Sequence, residues 1–222
     1  MVERFARPPT VTASVTEAIR EAIFRGELQP GEPLREKEFS DSLQVSRGTV
    51  REALRLLVDE NLVEAFPHRG AFVRELSSET ARELYTLRAL IEPFTVRMAL
   101  ETGTYADEDL ERLRTLSLRL DELERTKGDI YETAKADVEF HYLICSSSNH
   151  QLVMQFLRSL QALTWLFMIN IHLYHSDVYS DEPSHSEIYE AIRSGDPSRA
   201  EETLRSHINA AGRALLICLE QE

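Results

Sequence analysis

Hydrophobic and polar residues follow a helical period through the first part of the chain. Apolar positions recur every three to four residues within 12–25. Similar patterns occupy residues 36–43 and the stretch after Ser46, whose hydroxyl group can cap a helix. Two short runs of β-forming residues then flank a turn at residues 67–70. The pattern therefore predicts three helices followed by a β-hairpin.

From Ser77 onward the pattern predicts helices only. The six predicted segments are residues 78–102, 106–126, 129–147, 150–175, 184–194 and 197–220. Because the β signals stop near Leu76, we place a domain boundary there. The expected fold class is mainly α, with an N-terminal winged helix-turn-helix at 1–76 and an all-α helical bundle at 77–222.

Composition predicts a soluble chain from a reducing compartment. Hydrophobic residues make up 42% and charged residues 28% of the sequence, as in folded domains. The two cysteines, Cys145 and Cys218, form no CxxC pair and no disulfide framework. The first ten residues lack an apolar signal segment, and polar side chains interrupt the most apolar stretch, residues 162–174. We therefore expect a cytoplasmic protein that does not contact a membrane.

The net charge of −13, taken over the whole chain, argues against nucleic acid as a partner. Residues 1–75 contain 11 basic and 13 acidic side chains, a net charge of −2. Residues 76–222 contain the remaining 14 and 25, a net charge of −11. The acidity is thus concentrated in the predicted bundle, and a near-neutral N-terminal domain can bind DNA if its arginines share one face.

The third predicted helix carries candidate DNA-binding residues at its N-terminus. Arg47 and Arg51 are one turn apart, opposite the apolar face. An arginine can donate two hydrogen bonds to a guanine edge in the major groove, and Ser46 and Thr49 suit phosphate or base contacts. The alternative is a surface helix whose arginines pair with Glu52 and its neighbours.

The predicted hairpin turn would form the tip of a wing that can enter a minor groove. Its candidate contacts are His68, Arg69 and Gly70. Residues 34–73 read LREKEFSDSLQVSRGTVREALRLLVDENLVEAFPHRGAFV. This run closely resembles the DNA-binding domain of the GntR family of bacterial transcription regulators, in which V-S-R-T-P-V-R-E-A-L and a P-x-R-G-A-x-V wing recur.

The resemblance implies which residues face DNA. The implied contacts are Arg35, Arg47, Arg51 and the wing residues 68–70. Two positions depart from the family pattern: Gly48-Thr49 replaces the usual Thr-Pro, and Asn61 replaces the usual Gly. The first departure bears on base preference, whereas the second is conformationally mild.

Four residues of the bundle have the chemistry of a metal site. Asp137 and His141 are four residues apart and so share one helix face, while His185 and His207 lie on two later helices. Three imidazoles and a carboxylate suit a divalent cation such as Zn, Ni, Mn or Fe, with a position left for water or a ligand. An Asp–His pair at this spacing is also common as a surface hydrogen bond, so the spacing leaves both interpretations open.

Residues 78–220 resemble the all-helical effector domain, called FCD, of the FadR branch of the same family. The matching segments are DVEFH (137–141), NHQL (149–152), HSEIYEAIRSGD (185–196) and AEETLRSH (200–207). The resemblance implies that Asp137, His141, His185 and His207 are metal ligands. It also implies that Arg88 faces an effector cavity and binds a small carboxylate. The alternative for Arg88 is an exposed ion pair with Glu92, four residues along the same helix.

We therefore expect a ligand-responsive transcription regulator and not an enzyme. It would bind double-stranded operator DNA as a homodimer, because a short recognition helix gains specificity from two half-sites. The operator is therefore expected to be palindromic. A metal-dependent hydrolase that activates water at the Asp/His site is the alternative function, but it leaves the winged helix-turn-helix unexplained. A third interpretation is a structural interaction protein with an inactive site.

Overall fold

The structure is a computed structural model that describes residues 10–174 and 183–220, with side chains for all of these except 170–174. The chain divides between Glu75 and Leu76 into two compact units. The predicted fold class is confirmed, because the described residues are mainly helical and the strands are confined to the N-terminal unit.

The N-terminal unit has three helices and a small sheet. Its elements are α1 (Val11–Phe24), β1 (Pro33–Leu34), α2 (Glu36–Leu43), α3 (Arg47–Asp59), β2 (Val63–Phe66) and β3 (Gly70–Val73). Ile19 and Ile23 of α1 are buried together with Leu57 of α3, and the two helices pack against each other. Ser46 caps α3 by accepting a hydrogen bond from the Thr49 backbone N–H at 3.1 Å, as the sequence predicts.

The sheet contains a strand that the sequence pattern did not predict. Its strand order is β1-β3-β2, and both pairs are antiparallel. With two residues, β1 is too short to show the alternation by which strands are recognised. It pairs Leu34 with Ala71, and the Val73 N–H donates to the Glu32 carbonyl just before it. The segment that leads into α2 is therefore tied to the wing strand β3.

The C-terminal unit is all-helical among its described residues. Its helices are α4 (Ser78–Thr102), α5 (Asp107–Thr126), α6 (Ile130–Ser146), α7 (Gln151–Tyr174), α8 (His185–Arg193) and α9 (Pro197–Leu219). The six predicted segments are confirmed to within one residue at each described end, while residue 175 lies outside the described residues. Phe140, Phe167 and Ile188 are fully buried in the shared core.

The long helices α4 and α9 pack side by side and bring two candidate site residues, Arg88 and His207, into one unit. A methyl group added to Gly212 would lie 2.9 Å from the Cβ atom of Tyr85. Only a glycine therefore permits this approach of the two helices without a shift.

Among the described residues, one segment has the length and hydropathy of a membrane span. It is Gln151–Ile169 in α7, with a mean hydropathy of 1.4, and 44% of it is buried. Phe167 belongs to the core of the helical unit. Because the core helix of a folded domain meets the same criteria, the segment is weak evidence for a membrane.

Candidate functional site

Four buried side chains meet inside the helical unit. Asp137 and His141 project from α6, His185 is the first residue of α8, and His207 lies on α9. One potential ligand atom of each lies within 4.8 Å of the others, and all four are at most 6% exposed. They line a cavity of about 390 Å³. The structure thus brings together the four residues proposed from the sequence, and excludes the surface hydrogen bond for the Asp–His pair.

Each of the three histidine rings has an oxygen atom beside its Nδ1. The contacts are His141 to Glu92 at 2.6 Å, His185 to Glu124 at 3.3 Å and His207 to the Pro183 carbonyl at 2.9 Å. The Glu124 contact has the distance of an ion pair without the alignment of a hydrogen bond. Metal-binding histidines generally donate their second N–H to such an oxygen, which fixes the tautomer and the ring plane.

The Nε2 atoms of His141 and His185 face the cluster. His185 Nε2 lies 3.0 Å from Asp137 Oδ1, and His141 Nε2 lies 3.7 Å from the same oxygen. His141 Nε2 is buried and has no hydrogen-bond partner among the described residues. A buried polar atom without a partner is costly, so this nitrogen fits a ligand that the protein itself does not supply.

Charge at the cluster is strongly coupled. Burial lowers the pKa of His185, but the hydrogen bond to Asp137 and the nearby Glu124 carboxylate outweigh burial and raise that pKa to about 10. Burial raises the pKa of Asp137, yet His141 and His185 bring it well below its usual range. Burial, then the neighbouring His185 and His141, lower the pKa of His207 well below its ordinary value. The metal-free cluster therefore holds positive charge on His185 that a cation would replace.

Arg88 lines the same cavity and forms the ion pair with Glu92 that the sequence allows. The pair is buried, since Arg88 is 5% and Glu92 3% exposed, so the exposed surface pair is wrong. Its Nε atom donates to Glu92 Oε1 at 2.6 Å. Burial raises the pKa of Glu92, but Arg88 and His141 lower it to about 2, so Glu92 is an anion at neutral pH.

The N-terminus of α3 presents its polar side chains to solvent. Arg47 and Arg51 are exposed, and the Thr49 hydroxyl lies 2.9 Å from Ser46 Oγ. Arg51 pairs with Glu36 of α2, through Nε to Oε1 at 2.8 Å and Nη2 to Oε2 at 2.7 Å, and not with Glu52. The alternative of arginines paired on their own helix is therefore wrong for Arg51.

The wing residues are also exposed. His68 and Gly70 have positive φ angles of 63° and 97°, which turn the chain between β2 and β3. The guanidinium of Arg69 lies 5.3 Å from the centre of the Phe66 ring, a cation–π distance. Arg35, just before α2, pairs with Glu38 at 2.9 Å and remains 67% exposed. All the proposed DNA contacts thus lie on the surface of this unit.

Sequence reasoning missed the oxygen atoms that orient the histidines. The sequence indicates Glu92 only as a partner of Arg88 and gives no signal for Glu124 or the Pro183 carbonyl. Glu92 and His141 are separated by 49 residues along the chain. No local pattern predicts such a contact, and a carboxylate at a buried position of α4 was the one available signal.

Comparisons with known proteins match both units. The family described as bacterial regulatory proteins, gntR family, matches residues 11–73, and the FCD domain matches residues 83–210. The chain is 30% identical to the Glc operon transcriptional activator of Escherichia coli (strain K12), over 90% of this chain and 87% of that protein. It is 35% identical to the Nta operon transcriptional regulator of Aminobacter aminovorans over 135 residues, which cover 60% of this chain and 61% of that protein.

A solved structure of a GntR transcriptional regulator from Rhodococcus sp. RHA1 is similar throughout. It has a TM-score of 0.75 and 28% sequence identity, covering 92% of this chain and 97% of that one. These relatives are named transcriptional regulators, and both matched domains are regulatory, so the hydrolase alternative is set aside. The chain belongs to the GntR family and is a DNA-binding transcriptional regulator with a C-terminal FCD domain.

Proposed function

We propose that this regulator responds to a small carboxylate that binds beside a divalent metal ion in the helical unit. The observation that carries the proposal is the arrangement of three buried histidines around Asp137: an oxygen atom lies beside each Nδ1, and the Nε2 atoms of His141 and His185 face Asp137. Histidine rings arranged in this way are typical of metal ligands.

Asp137, His141, His185 and His207 would hold the metal. Imidazole nitrogens with one carboxylate suit Zn, Ni, Mn or Fe, and four protein ligands leave room for an added ligand on an ion that accepts five or six. The bound ion would supply positive charge for an anionic effector at the bottom of the cavity.

The cavity dimensions support a small organic acid as effector. A volume of about 390 Å³ suits a molecule of metabolite size. Arg88 and the four metal-ligand candidates line it together with apolar side chains such as Met168 and Ile208. A carboxylate group could bind the metal while the Arg88 guanidinium binds a second acidic group. The effector changes DNA affinity only if it favours one of two conformational states of the protein.

In the proposed DNA complex, α3 enters the major groove and the wing reaches the minor groove. The proposed contacts are Arg35, Ser46, Arg47, Thr49, Arg51, His68, Arg69 and Gly70. Their position supports this role, because all of them are exposed except Thr49, which is half-buried. The operator would be palindromic and the protein a cytoplasmic homodimer.

An apolar strip on α4 supports dimerisation through the helical unit. Leu87, Leu90 and Phe94 lie three to seven residues apart, on one side of the helix, and are 36%, 58% and 50% exposed. Exposed apolar residues that share a helix face are typical of a protein interface.

Metal analysis and DNA titration of the same preparations test this proposal. Purified wild type is expected to hold one divalent ion per chain, whereas His207→Ala should hold less and respond weakly to the effector. His150→Ala is the matched control, since His150 lies outside the cluster, before α7. Small mono- and dicarboxylates, screened by thermal shift, supply the effector. Equal metal content and equal effector responses in wild type and His207→Ala would overturn the proposal.

A further inference from the structure

Glu92 lies between the arginine of the cavity wall and one of the histidines. Its Oε1 accepts a hydrogen bond from Arg88 Nε and its Oε2 lies 2.6 Å from His141 Nδ1. A guanidinium group offers donors only, and His141 Nδ1 must carry a proton to bind a carboxylate. Each oxygen of Glu92 therefore serves a different N–H donor, and only a carboxylate can accept from both.

We propose that Glu92 is a positioning residue that sets His141 for the metal and Arg88 for the anion at once. The inference rests on the proposed function and adds the residue that joins its two parts. By accepting the Nδ1 proton, Glu92 leaves the unpartnered Nε2 of His141 to the metal. By accepting from Nε, it leaves the other N–H groups of Arg88 to an anion.

Glu92 lies behind Arg88 and His141 and does not line the 390 Å³ cavity. Arg88 and His141 line both the 390 Å³ cavity and a second one of about 40 Å³, whereas Glu92 lines only the smaller one. A ligand in the large cavity therefore contacts the two residues that Glu92 holds. Glu124 and the Pro183 carbonyl, which lie beside the other two histidines, have no such second partner on the cavity wall among their described contacts.

Because Glu92 accepts from two N–H donors, a second substitution that removes one donor should offset the effect of Glu92→Gln. In Glu92→Gln the side chain keeps one acceptor oxygen, and its NH₂ group faces the second N–H donor. One of the two partners must then move. Arg88→Met removes the competing donor, so in Arg88→Met/Glu92→Gln the glutamine oxygen can serve His141 alone. A merely structural role for Glu92 predicts no recovery, because the second substitution removes a further buried group.

Zn²⁺ affinity, measured on the full chain by competition with a chromophoric chelator, tests the inference. Glu92→Gln is expected to bind Zn²⁺ about 10–100-fold more weakly than wild type, the usual effect of losing such a partner. Arg88→Met/Glu92→Gln should recover most of that loss, and Arg88→Met/Glu92→Leu should not. The control is Glu101→Gln, because Glu101 pairs with Arg97 at the same spacing on α4 but on the surface.

The outcomes separate the two proposals. Stoichiometric Zn²⁺ in wild type with unchanged affinity in Glu92→Gln overturns the inference alone, as does a loss that the double variant fails to recover. A wild type that binds no metal overturns the proposed function and this inference with it. If circular dichroism shows that Glu92→Gln does not fold, the two double variants still test the inference. Equal Zn²⁺ affinities in Arg88→Met/Glu92→Gln and Arg88→Met/Glu92→Leu would overturn it.

Discussion

Arg51 on α3 and Glu36 on α2 form a two-point ion pair, with Nε to Oε1 at 2.8 Å and Nη2 to Oε2 at 2.7 Å. The arginine expected to reach into the major groove is thus held by a carboxylate in the DNA-free protein. Its side chain is nevertheless 67% exposed. Exposed pairs of this kind contribute little to stability, so a guanine or a phosphate can replace Glu36.

Glu36→Gln is therefore expected to strengthen operator binding, by up to about fivefold. The substitution releases Arg51 from its partner and removes a negative charge beside the DNA backbone. Fluorescence anisotropy with operator DNA measures the change, and Glu38→Gln, which frees Arg35, is the parallel variant on the same helix. Weaker binding by Glu36→Gln would mean that Glu36 orients Arg51 for DNA.

Arg47→Ala and Arg51→Ala should each weaken specific operator binding by about 1–3 kcal/mol, which is typical of one base-reading contact. Arg55→Ala is the control, because Arg55 is exposed on the same helix but farther from its N-terminus. Competition against non-specific DNA separates base reading from phosphate contact. Equal losses for Arg47→Ala and Arg55→Ala would contradict the assignment of α3 as a base-reading helix.

Zn²⁺ binding should strengthen as the pH rises across neutrality. In the metal-free protein burial lowers the pKa of His185, but its hydrogen bond to Asp137 and the nearby Glu124 carboxylate raise that pKa to about 10, so the metal must displace a proton. This group alone predicts about a tenfold gain in apparent affinity per pH unit below that value. Calorimetry at pH 7 in buffers of different ionisation enthalpy counts the released protons. Glu124→Gln should lessen the release, and binding without proton release in wild type would contradict the expectation.

Gly212→Ala should destabilise the helical unit although alanine is the better helix former. The new methyl group would lie 2.9 Å from the Tyr85 Cβ atom, at a contact between two helices that cannot yield cheaply. Overpacking costs about 1–3 kcal/mol, and the gain in helix propensity returns at most about 1 kcal/mol. Thermal unfolding measures the difference, with Gly103→Ala as a glycine outside the contact whose own strain comes from its positive φ. A raised melting temperature for Gly212→Ala would contradict this account of the packing.

Leu90→Glu should shift the protein from dimer to monomer if the α4 strip forms the interface. Burying a carboxylate against a partner's apolar side chains is unfavourable, while on a free surface it costs little. Sedimentation velocity measures the assembly state. Leu118→Glu on α5 is the matched control, since Leu118 is 53% and Leu90 58% exposed. A Leu90→Glu protein that stays dimeric would assign the interface elsewhere.

The helices could be predicted from the sequence because apolar spacing and capping residues are local signals. Ser46 illustrates this, since its hydroxyl group caps α3 as expected. What escaped prediction depends on contacts between distant parts of the chain. Arg51 and Glu36 are separated by 15 residues, and His141 and Glu92 by 49. The short strand β1 likewise exists only through its pairing with β3.

The four metal-ligand candidates come from three helices, α6, α8 and α9, which are brought together only when the unit folds. A metal held there would bind the native state and not the unfolded chain. Each tenfold excess of free metal over its dissociation constant then adds about 1.4 kcal/mol to the free energy of unfolding. The lifetime of the regulator against cellular proteases would thus follow the supply of the metal, so that metal starvation would remove the protein as well as silence its response.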